Sequence, residues 1–196
     1  MSLNDFQIIP CRQCGTNNRL PSYKLSSPLA KCGRCGASLT DDSGKPYDSD
    51  IYQLRCSHCK VRNRIPANKI KQNPKCGKCG HQIDTSDILS RRPVLVTDTD
   101  FSDKVLRSPL PVLMYAWAPW CSGCQSVSPV IDQFAAESAG KVRTAKLNLD
   151  GNPSVSNQFN ILSVPFLFIF DRGELKESMP GTTDKHAIML KMAHYI

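Results

Sequence analysis

Several features that mark other classes of protein are missing from this sequence. The N-terminus has neither the basic start nor the apolar core of a secretory signal peptide. The longest apolar run, residues 110–121, is too short to cross a bilayer. No cysteine is unpaired in the sequence pattern, because all ten fall into Cys-x-x-Cys pairs. We therefore expect a soluble cytoplasmic protein without membrane contact, in which paired cysteines serve metal or redox chemistry.

Aromatic residues are scarce in residues 1–92, which contain only four of them: Phe6, Tyr23, Tyr47 and Tyr52. The same half carries 16 Lys+Arg against 7 Asp+Glu, whereas residues 93–196 carry 9 against 10. This contrast indicates different kinds of domain. A basic half permits contact with nucleic acid, but so few aromatics offer little base stacking. We therefore treat nucleic acid as a possible but disfavoured partner.

The N-terminal half contains an internal duplication. Each copy has two Cys-x-x-Cys pairs around an Asn-Arg-Leu/Ile-Pro segment; the cysteines are Cys11, Cys14, Cys32 and Cys35, then Cys56, Cys59, Cys76 and Cys79. Seventeen residues separate the pairs in the first copy and sixteen in the second, a spacing typical of zinc ribbons. Four thiolates form a closed tetrahedral site, so we predict two Zn²⁺ ions, one per copy. Disulfide or redox-active pairs remain the alternative.

The sequence predicts three domains. The first ribbon covers residues 1–42 and the second covers residues 50–86, with a polar linker over residues 37–50. We expect His58 and His81 to lie near the zinc sites without binding the metal. Residues 93–196 alternate between strand and helix patterns and include a hairpin signal at Asp171-Arg172-Gly173, which predicts an α/β fold around a mixed sheet. We predict a first helix over residues 101–107, strands over residues 112–118, 166–170 and 174–179, and a last helix with Thr182 or Thr183 as its N-cap.

The third domain resembles the thioredoxin family. The motifs that carry the resemblance are Trp117-Ala-Pro-Trp120-Cys121-Ser-Gly-Cys124, Pro129, Ala145-Lys146-Leu-Asn-Leu-Asp150, Ser163-Val164-Pro165 and Gly181. The resemblance implies a thioredoxin fold, with a mixed central sheet flanked by helices. The preceding cysteines also resemble those of the zinc-binding second thioredoxin of bacteria, which carries one ribbon rather than two.

The redox pair is Cys121 and Cys124. A cysteine at the first turn of a helix is stabilised as thiolate by the helix dipole, so we expect an exposed Cys121 to be the nucleophile and Cys124 the resolving thiol. The resemblance further implies a cis Pro165 opposite the dithiol, Trp120 beside it, and a functional Lys146. It also implies a protein-disulfide reductase that acts on disulfide-containing proteins and receives electrons from thioredoxin reductase.

Three departures from the family pattern affect this prediction. Ser122-Gly123 replaces the usual Gly-Pro, and Phe166 replaces a small polar residue. Tyr115 stands where a buried aspartate usually assists the resolving thiol, so Lys146 lacks its usual acidic partner. We therefore expect a slower and more oxidising exchanger than ordinary thioredoxins. Two other functions remain open: an adaptor for nucleic acid or protein, and a redox sensor that releases zinc on oxidation.

Overall fold

The computed structural model describes residues 6–11, 14, 16–25, 30–40, 51–181 and 184–196. Both ends of the predicted first ribbon and most of the predicted linker lie outside the described residues. The described chain divides into two compact units. The first comprises residues up to 52 together with 64–74, and the second comprises 53–63 together with 75–196. The three sequence-based domain boundaries stay a prediction.

Each N-terminal repeat is built on a two-stranded sheet. In the first repeat, β1 (Phe6–Pro10) pairs antiparallel with β2 (Asn17–Pro21), and a short helix α1 (Ser22–Leu25) follows. In the second, β3 (Ile51–Arg55) pairs with β4 (Arg62–Pro66), and a 3-10 turn follows. The buried cluster of the first repeat contains two of its cysteines among five residues: Ile9, Cys11, Ala30, Cys32 and Leu39. So small an apolar core needs a further source of stability.

Residues 94–196 form a five-stranded mixed sheet. Its strands are β5 (Val94–Val96), β6 (Val112–Trp117), β7 (Arg143–Asn148), β8 (Phe166–Asp171) and β9 (Glu174–Pro180). The order is β5-β7-β6-β8-β9; β5, β7 and β6 run parallel, and the last two strands are antiparallel to their neighbours. The helices are α2 (Ser122–Ser138), α3 (Pro153–Gln158) and α4 (Lys185–Met192). The predicted fold class is confirmed.

The central strand β6 is buried on both faces, which explains its unbroken apolar sequence. Leu113 and Tyr115 pack with α2 and α4 on one face. Met114 and Ala116 pack on the other face, with α3 and the turn before β6. This burial fixes the end of β6, and the four residues that follow lead directly into α2.

Local details differ from the sequence-based expectations. The predicted helix over residues 101–107 is a π-helical turn at Ser102–Leu106. Helix α4 is capped by Asp184, whose Oδ1 accepts a hydrogen bond from the Ala187 backbone N–H at 2.8 Å. The predicted caps, Thr182 and Thr183, lie outside the described residues. In the described part of the chain, no helix has the length and apolar character needed to span a membrane.

A buried arginine joins the second repeat to the α/β part of the same unit. Nη1 of Arg55 lies 2.9 Å from Oδ1 of Asp171, and both side chains are less than one tenth exposed. Nη2 of Arg55 donates to the backbone carbonyl of Tyr195 at 3.0 Å, and the Arg55 backbone N–H donates to Pro109 at 2.8 Å. The second repeat therefore contributes to the core of this unit.

Candidate functional site

The dithiol lies where β6 leads into α2. Cys121 is the N-cap residue of α2, and its Sγ accepts a hydrogen bond from the Cys124 backbone N–H at 3.1 Å. The two cysteines form a disulfide with a Cα–Cα distance of 5.3 Å. Backbone N–H groups and the helix dipole at this position favour a negative charge on sulfur. The arrangement therefore favours Cys121 as the thiolate once the disulfide is reduced.

Exposure does not distinguish the two cysteines as strongly as the sequence suggested. Cys121 is 7% exposed and Cys124 is 4% exposed, so both are buried in the disulfide form. The expectation of an exposed Cys121 is wrong for this form, because Cys121 packs in the same buried cluster as Cys124. Its assignment as nucleophile therefore rests on its position in α2.

Pro165 faces the turn between the two cysteines. The Val164–Pro165 peptide bond is cis. A Cβ atom on Gly123 would lie 3.5 Å from Cδ of Pro165, which is an ordinary contact. A Cβ atom on Gly181 would lie only 2.6 Å from Cβ of Pro165, and the Gly181 backbone N–H donates to the Pro165 carbonyl at 2.9 Å. Gly181 therefore allows β9 to hold Pro165 at the dithiol.

A cavity of about 210 Å³ adjoins the disulfide; its lining includes Tyr115, Cys121, Cys124, Gln125 and Ser128. The Tyr115 hydroxyl donates to the Cys124 carbonyl at 3.1 Å. Burial, and to a lesser degree the charge of Asp132, raises the pKa of Tyr115 to about 12. Tyr115 therefore stays neutral near neutral pH and cannot act there as a base.

Lys146 has an acidic partner that the sequence analysis missed. Its Nζ lies 2.6 Å from Oδ1 of Asp132 and donates to Oγ of Ser128 at 2.7 Å. Ser128 also lines the cavity beside Cys124. The usual acidic partner is absent, since position 115 is a tyrosine, and α2 instead supplies Asp132 as a partner that the sequence did not indicate.

The two tryptophans occupy different environments. Trp120 is 69% exposed, and its Nε1–H donates to Oδ1 of Asp150 at 2.9 Å. Trp117 is partly buried against the cluster that contains both redox cysteines. Its Nε1–H is buried and has no hydrogen-bond partner among the described residues. Trp120 is thus available to contact a substrate, whereas Trp117 packs within the domain.

The eight remaining cysteines form two clusters of four, one in each repeat, and within a cluster all four Sγ atoms lie within 4.8 Å of one another. The Sγ atoms lie 3.5 Å apart in Cys11–Cys35 and 3.6 Å apart in Cys14–Cys32. The equivalent distances in the second cluster are 3.6 Å for Cys56–Cys79 and 3.5 Å for Cys59–Cys76. A tetrahedral Zn²⁺ with Zn–S of about 2.3 Å places sulfurs about 3.8 Å apart, so the donor set fits this ion.

Electrostatics within each cluster also favour a dication. Backbone N–H groups, of Cys35 first and then Arg34, lower the pKa of Cys32 to about 6. The Ala37 backbone N–H lowers the pKa of Cys35, but burial and the neighbouring sulfurs outweigh it and raise that pKa to about 12. Four adjacent thiolates therefore need a compensating positive charge, which a bound Zn²⁺ supplies.

An asparagine supports each cluster, and sequence reasoning gave it no role. The side-chain amide of Asn18 donates to Cys32 Sγ at 3.6 Å and accepts from the Gly33 backbone N–H at 2.9 Å. Asn63 makes the same two contacts with Cys76 and Gly77. The repeated Asn-Arg-Leu/Ile-Pro segment was the available signal. Both groups consist of cysteines alone; His58 and His81 instead stack with ring centroids 5.6 Å apart.

Comparison with known proteins agrees with this geometry. The family model described as Thioredoxin matches residues 92–194, and the model described as Thioredoxin 2, N-terminal, a zinc ribbon, matches residues 55–81. A thioredoxin of Rickettsia felis is 39% identical over 94 residues, which cover 48% of this chain and 90% of that protein. A thioredoxin of Synechocystis sp. is 40% identical over 101 residues, covering 52% and 94%. Thioredoxin 1 of Nostoc sp. is 43% identical over 90 residues, covering 46% and 84%.

The Thioredoxin match spans more than half of the 196 residues and includes both members of the redox pair. The ribbon match includes all four cysteines of the second cluster. Together with the disulfide at the start of α2, these matches identify the chain as a thiol–disulfide oxidoreductase that belongs to the thioredoxin family.

Proposed function

We propose that this protein reduces disulfide bonds in other proteins, with Cys121 as the nucleophile and Cys124 as the resolving thiol. The hydrogen bond from the Cys124 backbone N–H to Cys121 Sγ is the observation that carries this assignment. It places Cys121 at the positive end of α2, where a thiolate is favoured. The adjacent Pro165 and the exposed Trp120 supply a surface for an extended substrate segment.

The reaction proceeds in two exchanges. The Cys121 thiolate attacks a substrate disulfide, forms a mixed disulfide and releases one substrate sulfur as a thiolate, which takes a proton. Cys124 then loses its proton and attacks Cys121 Sγ, which closes the Cys121–Cys124 disulfide and releases the second substrate thiolate. Two electrons and two protons pass from the dithiol to the substrate. Thioredoxin reductase restores the dithiol.

Proton removal from Cys124 needs a group other than Tyr115. The Lys146 ammonium bonds to Ser128, and Ser128 lines the cavity beside Cys124. We assign Lys146 to stabilising the developing thiolate through this hydroxyl, with the proton passing to solvent in the cavity. Asp132 positions Lys146 through their 2.6 Å contact.

Each four-cysteine cluster is proposed to hold one structural Zn²⁺, giving two ions per chain. All four ligands of each site are cysteines, so no coordination position is left open for catalysis. Such clusters also require a compartment that keeps thiols reduced, which supports a cytoplasmic location. Elemental analysis of protein purified without added metal is expected to give two zinc ions per chain. A single ion would contradict the assignment.

The exchange assignment is tested with two variants and a disulfide-containing protein substrate in the presence of thioredoxin reductase. Cys121→Ser is expected to abolish reduction. Cys124→Ser is expected to accumulate a stable mixed disulfide, because the second thiol that releases it is missing. Limited alkylation of the reduced protein should label Cys121 first. Preferential labelling of Cys124 would reverse the two roles.

A further inference from the structure

The two ribbons have a one-sided charge. Residues 6–40 contain five basic and no acidic residues, and residues 51–83 contain eight basic and no acidic residues. Two zinc–thiolate centres would contribute −2 each, which leaves about +3 and about +6. Among the described cations of these segments, only Arg55 forms an ion pair with an acidic side chain. The other described cations are therefore free to meet an external anion.

Three of these cations lie together in the first ribbon. Arg19, Lys31 and Arg34 are exposed and line a shallow depression of about 600 Å³. Asn18 joins the strand that carries Arg19 to the turn that carries Arg34, because it bonds the Thr16 carbonyl at 2.8 Å and the Gly33 N–H at 2.9 Å. The three positive charges are therefore held on one rigid framework.

The second ribbon repeats the same three charges in its sequence. Arg64, Lys75 and Lys78 occupy the equivalent positions and are exposed. Other equivalent positions have diverged, as in Thr16 against Val61. Among the described residues, the contacts of the cluster sulfurs come from other cysteines, from the asparagine, from Thr16 and from backbone N–H groups such as that of Arg34, rather than from the charged ends of these side chains. Their repetition therefore points to a role outside the metal sites.

We propose that this repeated basic face binds acidic segments of the disulfide-containing proteins that the dithiol reduces. The name basic face covers two sets of three equivalent positions, one set in each ribbon: Arg19, Lys31 and Arg34 in the first, and Arg64, Lys75 and Lys78 in the second. The proposal rests on the proposed reductase function and names its preferred substrates as acidic proteins. Its physical basis is charge complementarity, which raises association rates by tenfold or more at low ionic strength.

A protein fits this face better than a nucleic acid does. Nucleic-acid binding without sequence preference combines cations with aromatic stacking platforms. The ring of Phe6 is already covered by the Arg19 guanidinium, 4.4 Å from its centroid, and few other aromatics occur in the ribbons. The ribbons also belong to the same chain as a dithiol whose reaction needs a disulfide, a group that nucleic acids lack.

The test compares two synthetic peptides with the same internal disulfide, one flanked by Asp/Glu residues and the other by Lys residues. The full-length zinc-loaded protein is expected to show a kcat/KM about tenfold higher for the acidic peptide at low salt. The preference should fall to about twofold or less at high salt, because screening shortens the range of the interaction. Equal kcat/KM values at low salt would overturn the proposal.

Location is tested with a matched pair of charge variants. Replacing all six residues of the basic face with glutamine should remove most of the preference. A second test variant changes three residues of the first ribbon, Arg19→Gln, Lys31→Gln and Arg34→Gln. Its control changes three cations outside the basic face, Arg91→Gln, Arg92→Gln and Lys141→Gln, so that both triple variants lose the same total charge. The control residues are exposed and have no ion-pair partner among the described residues. A control that loses as much preference would overturn the proposal.

Two further measurements separate the remaining outcomes. A small uncharged disulfide substrate measures the activity of the dithiol without the basic face. The wild-type protein and all the variants should reduce it at the same rate, and each should retain two zinc ions per chain. If the wild-type protein does not reduce this small disulfide, the result contradicts the reductase function itself rather than the role of the basic face. The wild-type protein could instead bind a single-stranded oligonucleotide tightly, lose that binding in the six-residue variant and show no preference for the acidic peptide. This result would assign the basic face to nucleic acid and overturn the proposal.

Discussion

At the scale of single residues, the neighbours of Cys124 define an unusual environment for proton transfer. Tyr115 occupies the interior position from which a carboxylate would accept the proton, and its hydroxyl instead donates to the Cys124 carbonyl. Because its pKa is about 12, Tyr115 does not titrate between about pH 6 and pH 10. An ionisation in the rate profile over that range therefore does not come from Tyr115.

Replacing Tyr115 tests whether the missing base limits the second exchange. We expect Tyr115→Asp to speed the release of the mixed disulfide about tenfold, which corresponds to about 1.4 kcal/mol in the barrier. Tyr115→Phe removes the hydroxyl but keeps the ring, so its rate should stay within about twofold of the wild-type rate. Stopped-flow measurement of mixed-disulfide decay distinguishes them. An unchanged rate in Tyr115→Asp would show that deprotonation is not limiting.

A substitution at Gly123 tests whether the residue between the two cysteines sets the reduction potential of the disulfide. Proline at this position pre-sets the backbone of the turn, so closing the disulfide costs less conformational entropy. Gly123 lies in the first turn of α2, where proline is tolerated, and a Cβ atom there meets Pro165 at an ordinary 3.5 Å.

We therefore expect Gly123→Pro to lower the reduction potential by about 30 mV, or about 1.4 kcal/mol for two electrons. Equilibration with glutathione measures the shift, and Gly123→Ala controls for the added Cβ alone. A wild-type potential near −270 mV that Gly123→Pro leaves unmoved would contradict the expectation of a more oxidising protein.

The sequence predicted that Cys121 and Cys124 pair at the start of a helix and that Pro165 follows a cis peptide bond, because these residues lie in short motifs with a fixed order. It missed the contact between Lys146 and Asp132, since that contact depends on how α2 packs over β7. No local spacing rule connects these two residues. Burial of Cys121 was missed for a similar reason, because it belongs to a cluster whose members, such as Leu167 and Ile188, are distant in sequence.

At the scale of elements, the two ribbons share a zinc-binding pattern, but their four-cysteine clusters fall in different compact units, and the second ribbon is itself divided between the two units. All four cysteines of the second cluster lie in the unit that contains the catalytic sheet, whereas those of the first cluster lie in the other unit. Equivalent substitutions should therefore have unequal effects on the stability of the catalytic part.

We expect Cys32→Ser and Cys76→Ser each to remove one zinc ion per chain. Only Cys76→Ser should destabilise the catalytic unit, lowering its Tm by about 5–10 °C, while Cys32→Ser leaves that Tm within about 2 °C. Calorimetry with zinc analysis measures both effects. Equal shifts in the two variants would mean that the ribbons support the catalytic unit equally.

The regular elements were largely predictable because their signals are local. The sequence predicted β6, β8 and β9 to within about two residues from apolar patterning and from the Asp171-Arg172-Gly173 turn. In that turn Arg172 and Gly173 have φ values of 58° and 83°, as a tight hairpin requires. The π-helical turn was not predictable, since helical periodicity does not distinguish it from an α-helix.

At the scale of the whole molecule, the buried pair of Arg55 and Asp171 joins residues 116 positions apart in sequence. The ion pair is close, but Asp171 Oδ1 lacks a well-aligned hydrogen bond among the described residues. Among the described residues, removing the arginine leaves this buried carboxylate with one remaining ion-pair partner, Arg172, whose Nε lies 3.6 Å from Oδ2 of Asp171. Composition and periodicity gave no sign of this pair, because each residue appears locally as a surface charge.

We expect Arg55→Met to lower the free energy of unfolding of the catalytic unit by about 3–5 kcal/mol, as expected when one partner of a buried ion pair is removed. Arg62→Met is the matched control, because Arg62 is exposed and should change stability by no more than about 0.5 kcal/mol. Denaturant titration of both variants measures the difference. Equal stability of the two variants would contradict a supporting role for Arg55.

Because of this arginine, deletion of the first ribbon and deletion of the second ribbon should have different effects on the catalytic unit. Pro10 stands in the first copy where Arg55 stands in the second, so the first copy has no guanidinium to offer the carboxylate of Asp171. A variant that lacks residues 6–40 keeps both Arg55 and Asp171. A variant that lacks residues 51–83 loses Arg55 and leaves the Asp171 carboxylate buried without it. Duplication has therefore produced two copies with unequal structural roles, of which the second carries the arginine that pairs with Asp171 in the interior of the catalytic unit.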